Sequence, residues 1–92
     1  MSPKAARDPG PIGREVVAII RERLGRQRLT LADLIRITGL PQSTLSRTLA
    51  EKREIGIDEV EKIGRVLGTS AAELISEAAV NVQQRASSVT TG

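Results

Sequence analysis

Between Leu31 and Leu49 a stripe of apolar side chains at helical spacing is broken once, at Gly39, and that break constrains the fold more than any other feature of the chain. Leu31, Leu34, Ile35 and Thr38 recur at the three- and four-residue intervals of one helix face, and Leu45 and Leu49 resume the stripe four residues apart. Gly39 stands where a helix-ending residue must take positive φ, which costs glycine little. Pro41 suits the opening of a second helix, because the N–H it lacks is one that a first turn leaves unpaired anyway. Thr30 precedes the first helix, where its hydroxyl can accept from an orphan N–H, and the Asp33 carboxylate three residues on suits the positive helix end. Two short helices around a tight glycine turn are expected within residues 29–53.

The second of these helices has two unlike faces. A step of about 100° per residue puts Leu45, Thr48 and Leu49 on one side and Ser43, Ser46, Arg47 and Ala50 on the other, with Gln42 at the exposed tip. Glutamine can pair bidentately with adenine and arginine with guanine, hydroxyls can bond several base edges, and no carboxylate intrudes before Glu51 to repel phosphate. That is the surface needed to read bases in a DNA major groove.

This stretch resembles the helix-turn-helix of the phage-repressor-like family, the Cro/Xre type, without gaps. The likeness extends from about Val16 to about Ala79 and is carried by LTLADL, TGLPQSTLSR and LGTSAAEL. It implies an all-α, lambda-repressor-like bundle of four or five helices, in which Pro41 to Ala50 would be the recognition helix. Gln42, Ser43, Ser46 and Arg47 would face bases, and Thr30 and Thr44 would touch phosphate. Lys52 and Arg53 match the basic positions that hold the DNA backbone, and Arg26 and Arg28 would be additional phosphate contacts. The chain departs from the family at Leu31, where a glutamine often braces the recognition helix, and at Ile35, where a small alanine is usual. Thr38 and Thr48 stand at commonly apolar sites, and Glu51 replaces the glycine that often ends the recognition helix, leaving that helix free to run on towards Gly56.

The flanks complete the bundle. MSPKAARDPGPIG reads as a flexible leader (1–13) exposing Lys4 and Arg7. An amphipathic helix follows, with Val16, Val17, Ile20 and Leu24 inward and Arg14, Arg21, Glu22 and Arg23 outward. Gly56 is the expected N-cap of a helix with a stripe of Ile57, Val60, Ile63 and Leu67, which Gly68 ends. Ser70 and Glu73 have capping-box spacing for a last short helix burying Leu74, Ile75 and Ala78. The domain is expected over 14–79, with 80–92 a fraying tail. Leu74, Ile75, Ala78, Ala79, Val80 and Val82 exceed what one buried stripe needs, so this end is the candidate surface for a homodimer formed at least on DNA.

Composition narrows the function. With 92 residues and no Cys, His, Phe, Tyr or Trp, the chain has one core of Leu, Ile, Val and Ala. It lacks disulfides, the usual zinc ligands, thiol or imidazole catalysts and aromatic base-stacking platforms. Asp58, Glu59 and Glu61 have outward helical character, where solvation explains them, so neither an enzyme nor a metal or other cofactor is expected. The longest apolar run, Val16 to Ile20, is too short for a bilayer, and no signal-peptide pattern opens the chain, so a cytoplasmic, nucleoid-associated protein is expected. The net charge of +3 divides unevenly: eleven basic and five acidic residues through Arg53 give +6, and three basic and six acidic from Glu54 give −3. The half with the motif is the basic half, as DNA binding requires. The resulting expectation is a sequence-specific regulator bound to a double-stranded operator, a phage or prophage repressor or Cro-like protein acting by promoter occupancy without a separate effector domain. The alternative is a protein-interaction module, such as an antitoxin that binds a protein partner and its own operator.

Overall fold

The structure, a computed structural model, describes residues 9–90 and the side chains of 9–87. Five helices follow in order: α1 (Pro11–Arg26), α2 (Leu31–Thr38), α3 (Gln42–Leu49), α4 (Ile57–Val66) and α5 (Ala71–Thr90). The expected leader is shorter than its composition suggests. Pro11 opens α1 behind the N-cap Gly10, supplying helical φ at a position that needs no N–H. Lys4 and Arg7 lie outside the described residues.

Each helix sends one apolar side chain to a common centre: Ile20, Leu34, Leu45, Ile63 and Leu74 are all fully buried. Each such burial stabilises the fold by about 1.5 to 3 kcal/mol, which is how short helices without aromatic residues hold together. Val16, Val17, Ile19 and Leu24 thicken the core from α1, and Ala78 does so from α5. Ile57 departs from its expected stripe: it opens α4 at 70% exposure, beyond the reach of the core. Gly64 has a packing role that periodicity alone does not reveal, since a Cβ there would stand 3.2 Å from the Ser70 carbonyl carbon, where α4 passes the start of α5.

Helices α1, α3 and α4 end alike. The amide two residues past the C-cap bonds a carbonyl five residues back (Leu29 to Leu24, Lys52 to Arg47, Thr69 to Gly64), around a residue of positive φ. That residue is Gly68 after α4, but Arg28 (φ 59°) after α1 and Glu51 (φ 62°) after α3. Helix α3 therefore does not run on towards Gly56, because Glu51 itself takes the left-handed conformation that ends it. Helix α2 ends differently. Gly39 takes φ 75°, and the Thr38 hydroxyl donates to the Leu34 carbonyl at 2.6 Å while accepting from the Leu40 amide at 3.2 Å. A threonine at a commonly apolar position is thus explained by the turn it closes.

Helix α5 is longer than the short last helix expected. It runs to Thr90, and along it Asn81 and Arg85 donate to the Glu15 carboxylate of α1 at 3.0 and 2.6 Å. Its start uses Ser70 Oγ as acceptor for the Glu73 amide, but Glu73 accepts from the Thr69 hydroxyl, and Glu61 of α4 takes the Ala71 amide at 2.9 Å. Leu74 and Ala78 are wholly buried in the domain's own core and Ile75, Ala79 and Val82 half-buried, so of the apolar set offered as a dimer surface Val80 alone is exposed.

Candidate nucleic-acid interface

Helix α3 is seated by its apolar side. Pro41 is its N-cap with extended ψ of 144°, and the Pro41 carbonyl accepts the first helical bond from Leu45 at 3.1 Å. Leu45 and Thr48 are buried and Leu49 is half-buried, which turns Gln42, Ser43, Ser46, Arg47 and Ala50 to the outside. The four polar side chains in that set are exposed together and, among the described residues, have no protein partner. The face therefore presents an amide, two hydroxyls and a guanidinium with their hydrogen-bonding capacity unspent, all on the outer side of α3.

The surrounding residues differ in how free they are. Thr30 Oγ1 accepts from the Asp33 amide at 3.1 Å, and Asp33 Oδ2 accepts from the Thr30 amide at 2.9 Å, so a full capping box opens α2. The Thr30 amide first, then the Arg36 guanidinium and the Thr30 hydroxyl, hold the Asp33 carboxyl below the usual carboxylate range, so it stays ionised at the α2 N-terminus. Thr44 is half-buried. Arg28 and Lys52 are exposed with side chains unpartnered among the described residues. Arg26 pairs with Glu22 at 2.6 Å, and both are well exposed, a pairing weak enough to give way to a phosphate.

Arg53 is placed otherwise than expected. Its Nη1 donates to the Thr48 hydroxyl at 2.6 Å and to both Glu59 oxygens at 3.1 and 3.2 Å, turning the guanidinium inward. Glu59 also accepts from the Gly56 amide, which caps α4. Arg21 is a second residue with a role that sequence spacing missed: read simply as outward, it reaches from α1 to the Leu49 carbonyl at 3.1 Å, at the α3 C-terminus. The hint in the sequence was Thr48, a polar residue on the buried side, whose partner Arg53 stands five residues on, past the left-handed Glu51. Among the described residues no three His, Cys, Asp or Glu gather as metal ligands, and no helix is long and apolar enough to cross a membrane.

The model of the Cro/C1-type helix-turn-helix DNA-binding domain matches residues 20–77, which contain α2, α3 and most of the core. Among solved structures, the clp gene regulator ClgR from Corynebacterium glutamicum superposes with a TM-score of 0.71, covering 92% of this chain and 89% of that one at 20% identity. At that identity the likeness concerns the fold. No curated protein matches the chain in sequence. The helix pair around Gly39, the polar outer face of α3 and a family match across most of the bundle lead to one conclusion: the chain belongs to the Cro/C1-type helix-turn-helix DNA-binding domain family.

Proposed function

We propose that the protein is a sequence-specific double-stranded DNA-binding transcriptional regulator, with α3 lying in the major groove. The observation that carries this reading is the unspent polar face of Gln42, Ser43, Ser46 and Arg47 on a helix whose other side is locked into the core. Arg47 reads guanine, Gln42 an adenine, and the two serines adjust to neighbouring base edges. Lys52, Thr30, Thr44 and Arg28 hold phosphates, with Arg26 joining once it leaves Glu22. Binding over a promoter would exclude polymerase, so repression by occupancy is the simplest output, and a phage or prophage repressor or Cro-like protein is the context proposed. One short helix reads only a few base pairs, so two copies are expected to pair on a symmetric or directly repeated site.

Selection of duplexes from a random library, followed by binding of Arg47→Ala to the selected and a scrambled duplex, tests the reading. Loss of the bidentate contact is expected to remove about 1 to 3 kcal/mol of discrimination and far less of the non-specific affinity. Equal losses on both duplexes would count against base reading by α3.

A further inference from the structure

We infer that Arg21 and Arg53 form a two-sided clamp on the carboxyl end of α3 and set the pose in which it reads bases; this rests on the DNA-binding reading above. The two come from different elements, Arg21 from α1 and Arg53 from the loop after α3, and they grip adjacent residues. Arg21 donates to the Leu49 carbonyl at 3.1 Å, and Arg53 to the Thr48 side-chain hydroxyl at 2.6 Å. Both bring positive charge to the negative end of the helix dipole. Helix α3 is only eight residues long, and the amides of Ala50, Glu51 and Lys52 that close its last turn do so around a left-handed Glu51, so side-chain contacts from outside the helix bear directly on how that end is held.

The geometry favours positioning over phosphate contact for Arg53. Thr48 is 1% exposed, and among the described residues its hydroxyl has no other side-chain partner. An Arg53 that swung out to DNA would take from that hydroxyl its one side-chain partner and strip Glu59, whose side chain is 17% exposed, of its cation. Glu59 in turn caps α4 through the Gly56 amide, so the clamp ties the end of α3 to the start of α4. Thr48 makes a clean probe, because a buried side chain cannot touch DNA.

The test uses the full chain with Arg53→Met, Arg21→Met and Thr48→Val, with Arg53→Lys and Thr48→Ser as conservative controls. Affinities are measured across salt concentrations on a duplex selected from a random library by the unsubstituted protein and on a scrambled duplex of the same composition. Thr48→Val and Arg53→Met are each expected to lower the ratio of the two affinities about tenfold, with Arg21→Met moving it the same way. The salt slope is expected to stay unchanged for Thr48→Val and Arg53→Met, and Thr48→Ser to restore the ratio. If instead Arg53→Met weakens both duplexes equally and reduces the slope by about one while Thr48→Val does nothing, Arg53 is a phosphate contact and the clamp is overturned. Amide hydrogen exchange gives a readout independent of DNA. The Ala50, Glu51 and Lys52 amides, which close α3, are expected to exchange about tenfold faster in Arg53→Met and Arg21→Met, with the Ile63 and Leu74 amides unchanged. Unchanged exchange at residues 50–52 would overturn the clamp; faster exchange with an unchanged affinity ratio would overturn its link to base reading. A library that yields no enriched duplex would defeat the DNA-binding reading instead, and exchange alone would then decide whether the clamp exists.

Discussion

Arg28 and Glu51, with φ of 59° and 62°, are the residues other than glycine that take positive φ among those described, and each ends a helix beside the proposed interface residues. A side chain in that conformation costs about 1 to 2 kcal/mol, against about 0.5 to 1 kcal/mol for the extra freedom glycine must lose. Glu51→Gly is therefore expected to stabilise the fold by about 0.5 to 1 kcal/mol, seen as a higher urea midpoint with an unchanged denaturant slope. A lower midpoint would show that the Glu51 side chain contributes more than its backbone costs. The two misplaced-looking threonines have separate explanations: Thr38 closes the α2 turn through its own neighbours, and Thr48 receives Arg53 from five residues on, past the turn that ends α3. The first explanation follows from spacing alone. The second depends on how the chain turns back at Glu51.

Among the helices, α2 matches its sequence reading best, because its cap, its stop and its buried Leu34 all lie within ten residues of one another. Helix α5 matches worst. Residues 80–90 have the polar composition of a fraying end, yet Asn81 and Arg85 dock on Glu15, a partner 66 and 70 positions away. The Arg85 hydrogen bond first, then that of Asn81, outweighs desolvation and lowers the Glu15 pKa. Arg85→Ala should move the Glu15 pKa back up towards the ordinary carboxylate range in an NMR titration, with helical chemical shifts weakening beyond Asn81. An unmoved Glu15 titration would mean that the extension of α5 is not held by α1.

For the molecule as a whole, Glu15, Asp33 and Glu61 share one electrostatic behaviour. Each carboxyl is held below its usual range in the fold, Glu61 chiefly by the Ala71 amide and then by Arg65. Their unfolded counterparts take up protons first as pH falls, so the stability they contribute is complete above the unfolded values and is lost as pH drops through the folded ones. The chain has no histidine and no cysteine to titrate near neutrality. Thermal unfolding followed by circular dichroism is therefore expected at a nearly constant temperature from about pH 5.5 to 8.5, falling below about pH 4.5. A step between pH 6 and 7 would contradict this account. The three contacts involved join α1 to α5, α2 to its own cap and α4 to α5, so acid should loosen the helix ends before the aliphatic centre.

What sequence alone determined is local or periodic. The Gly39 turn, the Thr30 and Asp33 cap, the aliphatic core and the separation of α3 into a buried side and a polar side all depend on residues within a turn or two of each other. The exposed set of Gln42, Ser43, Ser46 and Arg47 was legible for that reason. Only the tertiary structure decided that Arg53 turns inward, that Arg21 reaches the end of α3, that Glu61 caps α5 and that α5 continues along α1. Each of these is a polar contact between elements, and charged side chains carry no periodic signal of their partners: an arginine bound for solvent, for phosphate or for a carbonyl on another helix looks the same until packing brings one acceptor within reach.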